Sequence, residues 1–321
     1  MPGVPVGRAV HVRVPASSAN LGPGFDSVGL ALGVWDDCVV TTTDEPGVVV
    51  EVHGEGEGAV PLGADHLVVR TLNAAWGELG FAPPAGVRLV CHNAVPHGRG
   101  MGSSATAIVT GIIAAQGLCG FTAIDRTAVC DLASRLEGHP DNASASVFGG
   151  LTVSWSDDPG APGATHTARP PIHPQLDVVV FVPSVQLSTA KARSVLPAQV
   201  RLADAAANSA RVGLLVHALT SDPSLLLPAT RDWLHQEARR RSYAESMDLV
   251  DRLRAQGHAA VISGAGPSVL VLTTRQAQPQ VKAGGDGWRR LAPGIPDHGA
   301  TLQPVGRTPA GHRTDKPSRH D

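Results

Sequence analysis

The sequence predicts an α+β fold with two domains. Segments with strand and helix patterns follow one another without the strict alternation of a doubly wound βαβ sheet. The chain has 321 residues, a length that suits two domains better than one. Residues 156–175 are rich in Pro, Gly and Asp, which is typical of a linker. We therefore expect an N-terminal domain over 8–160, a C-terminal domain over 170–305 and a disordered tail over 306–321.

In the N-terminal domain, apolar alternation predicts strands, and apolar spacing of three to four residues predicts helices. The expected strands are 8–14, 34–42, 48–52, 87–92 and 150–155. The expected helices are 66–79, 104–118 and 124–136. Residues 137–142 contain Gly and Pro, and we expect them to form a loop.

In the C-terminal domain, strands and helices are again mixed, and no internal repeat is present. The expected strands are 176–183, 259–262 and 269–273. The expected helices are 189–195, 199–219, 224–234 and 243–256. A glycine-containing turn over 263–268 separates the last two strands.

The composition argues against nucleic-acid and membrane partners. The formal net charge is −2 and only 3% of residues are aromatic, whereas a nucleic-acid surface needs a basic patch. The N-terminus lacks the pattern of a signal peptide, and the most apolar helix, 105–119, is too short to span a bilayer. Four cysteines without C-x-x-C spacing are typical of reduced thiols. We therefore expect a cytoplasmic protein.

A glycine-rich loop over 96–106, called the glycine loop below, is the clearest local signal. Gly98, Gly100 and Gly102 allow the backbone to approach a ligand closely, and Ser103 or Ser104 can cap the helix that follows. A helix N-terminus attracts phosphate through its free N–H groups and its dipole. The spacing fits neither a P-loop nor a dinucleotide fingerprint, so a turn that merely caps a buried helix is the alternative. The predicted phosphate-binding residues are Pro96, His97, Gly98, Arg99, Gly100, Met101, Gly102, Ser103, Ser104, Ala105 and Thr106.

Two further glycine-containing segments complete a known pattern. The first motif, residues 15–26, reads P-A-S-S-A-N-L-G-P-G-F-D, and the third motif, residues 263–268, reads S-G-A-G-P-S. With the glycine loop between them, they resemble the three motifs of the GHMP small-molecule kinases. The first motif and E-G-H-P-D-N at 137–142 are most similar to the members of that family that phosphorylate homoserine. The resemblance runs from about residue 8 to 305.

This resemblance implies both a fold and a reaction. The N-terminal half would resemble ribosomal protein S5 domain 2, the C-terminal half would be ferredoxin-like, and ATP and substrate would meet between them. The reaction would be phosphorylation of L-homoserine by ATP to O-phospho-L-homoserine in threonine biosynthesis. Homodimers are common among such relatives, which makes a homodimer possible here; the oligomeric state and inhibition by threonine are left open. The alternatives are another alcohol substrate of the mevalonate type, or an inactive nucleotide-binding sensor.

The resemblance also implies the residues that contact homoserine. Asn20 and Asp26 belong to the first motif, and Asp26 is suited to the ammonium or hydroxyl group. His139 and Asn142 would bind the amino acid from the E-G-H-P-D-N segment. Many relatives have an aspartate base where this chain has Asn142, and an amide cannot usefully accept a proton, so no base is assigned.

Two arginines match family positions that grip a carboxylate, which arginine does through two parallel hydrogen bonds. They are Arg193, with Thr189 beside it, and Arg239. The residues around Arg239 depart from the family pattern, so Arg240 and Arg241 stay alternatives for its role. The predicted catalytic residues are Asp26, Asn142 and Arg193.

Phosphoryl transfer depends mainly on positioning and charge neutralisation, in which Mg²⁺ takes part. Magnesium is bound through one or two carboxylates and keeps several waters. The resemblance implies Ser103 and Glu137 as its ligands. Asp131, one helical turn or more upstream, is the alternative carboxylate.

Overall fold

Two β-sheets organise the part of the chain that the structure, a computed structural model, describes: residues 1–158, 161–283 and 286–305. The strands are β1 (Ala9–Asn20), β2 (Gly24–Thr43), β3 (Gly47–Gly54), β4 (Gly86–Asn93), β5 (Leu151–Ser156), β6 (Thr165–Ala168), β7 (Leu176–Pro183), β8 (Ala259–Ile262), β9 (Val269–Thr274), β10 (Trp288–Leu291) and β11 (Thr301–Val305). The helices are α1 (Leu67–Glu78), α2 (Ser103–Cys119), α3 (Arg126–Glu137), α4 (Asp141–Phe148), α5 (Thr189–Ser194), α6 (Leu202–Thr220), α7 (Leu226–Ala229), α8 (Gln236–Arg239) and α9 (Ala244–Ala255).

The larger sheet has the strand order β11-β1-β2-β4-β3, and β5 and β6 extend it from the start of β2. All neighbours are antiparallel except β3 and β4. The 20-residue strand β2 is the central strand of this sheet, because it pairs with β1, β4 and β5. The first motif lies where β1 turns into β2.

Helix α2 is buried on nearly all of its faces, because almost every residue in it is apolar or small. It packs against α1, α3 and β1. Gly102 before it and Gly120 after it have left-handed backbone, with φ of 74° and 101°, which glycine adopts without strain. Within the described part of the chain, no side chain caps its N-terminus and its first N–H groups have no side-chain acceptor. The expectation that Ser103 or Ser104 caps this helix is therefore wrong.

The smaller sheet is antiparallel with the order β10-β7-β9-β8. Alternate residues of β7 point to opposite faces, as strand geometry requires. Val178 and Val180 face a core that they share with Leu30 and Leu32 of the larger sheet. Neighbouring residues of β7 face a separate core with α9. The shared core holds the two sheets together and fixes the cleft between them.

The predicted α+β class is confirmed, and most predicted elements are present. The largest boundary differences are in β1, which continues to Asn20 instead of ending at 14, and in β2, which begins at Gly24 instead of 34. Three expectations about the type of element are wrong. Residues 137–142 are not entirely loop, since α4 begins at Asp141. The 224–234 helix is a 3₁₀ turn followed by the short α7. The linker 156–175 contains β6, which pairs with β5.

The last described strand also changes the domain description. Residues 301–305 were assigned to the C-terminal domain, but β11 pairs with β1 in the larger sheet. Short strands flanked by Pro and Gly have no local pattern that reveals their distant partner. The tail 306–321 lies outside the described residues. Among the described residues, no helix combines the length and apolar character needed to cross a membrane.

Candidate active site

The three glycine-containing motifs, which are far apart in sequence, lie against one another. Ser263 of the third motif donates its hydroxyl to Gly100 O at 2.6 Å and lies 2.8 Å from Ser18 Oγ of the first motif. Asn20 Nδ2 donates to Gly264 O at 3.0 Å. These contacts join the larger sheet to the turn between β8 and β9. The motifs therefore form one continuous wall.

Glycine is required at two positions of the glycine loop by close backbone approach. A Cβ atom on Gly100 would lie 2.2 Å from Ser263 O, and one on Gly102 would lie 2.2 Å from Ser17 Oγ. Both residues also have a φ of +74°. Gly98 has positive φ, but a Cβ there would meet nothing nearer than Gln186 at 3.5 Å. The loop is thus held tightly at its C-terminal end and is open at Gly98.

The wall borders a cavity of about 190 Å³, lined by loop glycines and by polar side chains from both halves of the chain. The predicted site residues that line it are Asn20, Asp26, Gly98, Gly100, Gly102, Ser103, Ser104, Glu137, His139, Asn142, Arg193 and Arg239. Phe25, Asp141, Leu187 and Ser188 line it as well. Thr189 begins α5, but its side chain lies outside the described part of the structure.

Six of the predicted phosphate-binding residues do not line this cavity: Pro96, His97, Arg99, Met101, Ala105 and Thr106. Arg99 points to the smaller sheet and donates to Pro183 O and Ser184 O. Met101 is fully buried. Their contacts position the loop, and only its alternate glycines and the two serines face the cavity.

Asp26 and Arg193 form a bidentate ion pair. Arg193 Nη1 donates to Asp26 Oδ2 at 3.1 Å, and its Nη2 donates to Asp26 Oδ1 at 2.5 Å. Asp26 has a φ of +54°, and its N–H donates to Asn20 Oδ1 at 3.0 Å. Non-glycine residues in this conformation are uncommon and cluster at functional sites. The first motif therefore holds Asp26 in a strained backbone conformation that directs its side chain into the cavity.

Arg239 is the arginine of the 239–241 run that reaches the cavity. It is only 2% exposed, and burial lowers its pKa. Its Nε donates to Ala192 O at 3.0 Å, and its guanidinium lies over the Phe25 ring. No carboxylate among the described residues pairs with it. Arg240 instead lies at the surface, paired with Glu237 and Asp251.

A chain of hydroxyl groups orients Asn142. Ser17 Oγ donates to Asn142 Oδ1 at 3.1 Å, and Ser146 Oγ donates to Ser17 Oγ at 3.2 Å. Since the amide oxygen is engaged, the amide NH₂ group is left for the cavity. Asn142 can thus donate a hydrogen bond to a ligand but cannot act as a base.

His139 is held by Asp141, whose Oδ1 lies 2.7 Å from His139 Nδ1 and also accepts the N–H of Asn142 at 2.8 Å. Burial lowers the pKa of His139, but the hydrogen bond and charge of Asp141 and the charge of Glu137 raise it to about 9. The imidazole is therefore cationic near neutral pH. A cation at this position is a poor proton acceptor and a good anion partner.

Glu137 has a carboxylate oxygen with no partner. Its Oε2 is buried and accepts no hydrogen bond from the described residues. Burial raises the pKa of Glu137 to about 7, although the His139 charge and the Ser104 hydroxyl act in the other direction. Asp131 lies outside the cavity, where it accepts from Thr165 N at 3.2 Å and pairs with an arginine of its own helix.

A second pocket of about 300 Å³ lies beside the cavity and shares Ser103 and Ser104 with it. Its other walls are mostly apolar and come from the start of α1, the face of α2 and the strands β2 and β4. His66 lies in this wall, and its buried Nδ1 has no hydrogen-bond partner among the residues that the structure describes. Apart from His97, Ser103 and Ser104 of the glycine loop, no sequence motif marked this pocket, because its other residues are scattered over elements that meet only in the fold.

Comparison with known proteins agrees with this geometry. Residues 66–150 match the family description "GHMP kinases N terminal domain", and residues 215–284 match "GHMP kinases C terminal". The homoserine kinase of Streptomyces coelicolor is 47% identical over 300 residues, which are 92% of this chain and 95% of that relative. The chain belongs to the GHMP kinase family.

Solved structures extend the comparison of this GHMP kinase. Homoserine kinase from Cytophaga hutchinsonii is similar with a TM-score of 0.80 at 26% identity, covering 92% of this chain and 97% of that one. Mevalonate diphosphate decarboxylase from Staphylococcus aureus has a TM-score of 0.66 at 14% identity, covering 92% and 98%. The second likeness shows only a shared fold. The predicted two-domain GHMP kinase fold is confirmed.

Proposed function

We propose that this GHMP kinase transfers the terminal phosphoryl group of ATP to the hydroxyl of L-homoserine, giving ADP and O-phospho-L-homoserine. The main observation that supports this proposal is the arrangement of charges in the cavity. The Asp26–Arg193 pair and the buried Arg239, which has no carboxylate partner in the described part of the chain, face the glycine loop and a helix N-terminus. This set of charges suits a zwitterionic amino acid beside a polyphosphate. Homoserine kinases at 47% identity over nearly the whole chain support the same substrate.

The nucleotide would lie across both pockets. The apolar pocket suits a nucleobase, and the unpartnered Nδ1 of His66 offers it a polar contact. Ser103 and Ser104 line both pockets, so phosphates would pass over the start of α2. There the uncapped N–H groups and the helix dipole favour negative charge.

Homoserine would take the charged side of the cavity. Its ammonium group suits Asp26, and its carboxylate suits Arg239 together with Arg193. The Asp26–Arg193 pair then exchanges part of its mutual bonding for bonds to a ligand of matching charge. Each half of the pair keeps a charged partner, so the cost of leaving a charge unpaired is avoided.

A magnesium ion fits the residues between the two ligands. The orphaned Oε2 of Glu137 and the hydroxyls of Ser103 and Ser104 are oxygen donors of the kind that this ion binds. When bound, the ion supplies positive charge that neutralises phosphate oxygens. Asp131 is directed to a different part of the fold, so we propose Glu137 as the carboxylate.

Catalysis would rest on positioning and charge without a dedicated base. Asn142 offers an NH₂ donor to the hydroxyl or to the transferring group, and His139 is cationic near neutral pH. A loose transition state needs little activation of the attacking hydroxyl. Its proton would then leave with the phosphoryl oxygens.

The test is an ADP-release assay with homoserine, threonine, mevalonate and galactose as acceptors. We expect ADP release with homoserine far above that with the other three. Turnover of mevalonate without turnover of homoserine would overturn the proposed substrate. Tight nucleotide binding without turnover of any acceptor would support a sensor instead. The cytoplasmic location and the homodimer stay predictions.

A further inference from the structure

Asp36 is a buried carboxylate on β2 that the proposed chemistry does not use. It is 7% exposed. Its Oδ1 accepts the backbone N–H groups of Ala94 and Val95 at 2.8 and 2.9 Å. Its Oδ2 accepts the hydroxyl of Thr106 at 2.8 Å. Its hydrogen-bond donors among the described residues are therefore two backbone amides and one hydroxyl, and none of them is a cationic side chain.

These three contacts reach both ends of the glycine loop. Ala94 and Val95 immediately precede the loop, and Thr106 is in the first turn of α2. The partners are 58, 59 and 70 residues away from Asp36 in sequence. One side chain on a central strand thus fixes the distance between the point where the loop leaves β4 and the point where α2 begins.

Burying a carboxylate in this way is unfavourable unless its hydrogen bonds are all made. Burial raises the pKa of Asp36, and the bonds from Val95, Thr106 and Ala94 act against that rise. The middle of the loop is held separately, by the third motif and by the bond from Ser17 N to Met101 O. The two ends have Asp36 in common.

We propose that Asp36 is a positioning residue that holds the two ends of the glycine loop at the separation needed for nucleotide binding. The inference rests on the proposed nucleotide site. Asp36 also lies in the wall of the apolar pocket. The test must therefore distinguish two roles of Asp36: holding the two ends of the loop, called the clamp below, and contacting the nucleotide directly.

Three variants make this separation. Asp36→Ala removes all three bonds. Thr106→Val removes only the hydrogen bond between Asp36 and α2 and leaves the Asp36 carboxylate in the pocket wall. Asp36→Asn keeps the bonds from the two backbone amides, which its side-chain oxygen can accept. Its NH₂ group can donate to Thr106 Oγ. The Thr106 hydroxyl can then donate its own proton to Ser103 O, which lies 2.9 Å from Thr106 Oγ.

Two measurements are made on each variant. The first is the Kd of a non-hydrolysable ATP analogue by calorimetry, with the KM for homoserine beside it. We expect Asp36→Ala to weaken analogue binding about tenfold or more, Thr106→Val about threefold, and Asp36→Asn about twofold. The KM for homoserine should change less than the Kd of the analogue.

The second measurement is amide hydrogen exchange of the ligand-free protein. Residues 98–106 should exchange faster in Asp36→Ala and Thr106→Val, while the exchange of β7 and β9 is unchanged.

Unchanged loop exchange and unchanged analogue affinity in a folded Asp36→Ala would overturn the inference. If that variant does not fold, the same two results for Thr106→Val overturn it. Weaker binding in Asp36→Ala with wild-type exchange and with wild-type affinity in Thr106→Val would assign a direct contact and reject the clamp. Failure of the wild-type protein to bind the analogue would count against the proposed function, and loop exchange would still test the clamp.

Discussion

The two sides of the cavity are built in different ways. The side proposed to bind phosphate consists of backbone that is fixed by close contacts, such as Gly100 against Ser263. The side proposed to bind the amino acid consists of charged side chains from separate elements, such as Asp26 and Arg193, which are 33% and 36% exposed. The first side is held by close packing, whereas the second contains one ion pair, Asp26 with Arg193, beside the unpaired guanidinium of Arg239 and the unpartnered Oε2 of Glu137 among the described residues. The proposed phosphate contacts therefore rest mainly on backbone, and the proposed substrate contacts rest on side chains.

The largest effect should come from breaking the backbone side. In Gly100→Ala, the new Cβ would lie 2.2 Å from the backbone oxygen of Ser263, in a conformation with φ of +74°. We expect a loss of about 3 kcal/mol in the free energy of unfolding, together with loss of nucleotide binding. Urea unfolding and analogue titration measure both.

Gly98→Ala is the matched control for that substitution. It has the same sign of φ, but its Cβ would make an ordinary contact at 3.5 Å. Only the conformational cost of about 1 kcal/mol is expected. Equal losses in the two variants would show that close approach to the third motif is unimportant.

Breaking the charged side should leave the backbone side intact. Asp26→Ala removes the proposed ammonium partner and leaves Arg193 without its counter-ion. We expect kcat/KM for homoserine to fall about 1,000-fold, while the Kd of an ATP analogue changes less than about threefold.

Arg240→Ala serves as the control because its ion pairs lie at the surface. Exposed pairs contribute less than about 1 kcal/mol to stability, so its kcat/KM should stay near the wild-type value. A comparable loss of kcat/KM in this variant would instead favour Arg240 as the residue of the 239–241 run that binds substrate.

A smaller effect is expected where the two sides meet. Ser17→Ala frees the amide oxygen of Asn142, so that the amide can turn its NH₂ group away from the cavity. We expect kcat to fall about tenfold, with little change in the KM for ATP. Ser146→Ala, one hydroxyl further from Asn142, should have a weaker effect of the same kind in steady-state kinetics. A reversed order would rule out the hydroxyl chain.

The smallest effect is a pH dependence of stability at Glu137. Its folded pKa of about 7 is above the ordinary value of 4.5, so the folded protein holds this proton more tightly than the unfolded chain does. Stability is therefore lost as pH rises from about 4.5 through 7. Glu137→Gln removes this loss, so its Tm relative to wild type should rise by about 2 °C between pH 5 and pH 8. A difference in Tm that does not change with pH would contradict the burial of this carboxylate.

Local sequence patterns predicted the backbone side, whereas the residues of the charged side were predicted only through the family resemblance. Alternating glycines before a long apolar helix are local signals, and they predicted both the loop and α2. The sequence favoured Arg239 as the second arginine of the site but left Arg240 and Arg241 as alternatives, because the choice depends on where α8 ends and the chain turns outward. Asp36 and His66 were missed for a related reason. Their partners and their pocket come from segments that meet only after folding.

The pairing of β1 with β11 has a consequence for the order of folding. β1 leads into the first motif, and its outer neighbour is made about 290 residues later in synthesis. Until then, that edge of β1 has free N–H and C=O groups, which are prone to pair with other chains. Contacts between such distant segments also slow folding. The sheet that holds Asp26 is thus completed only after residues 301–305 are synthesised, and a fragment of the chain that stops before β11 would keep an open edge.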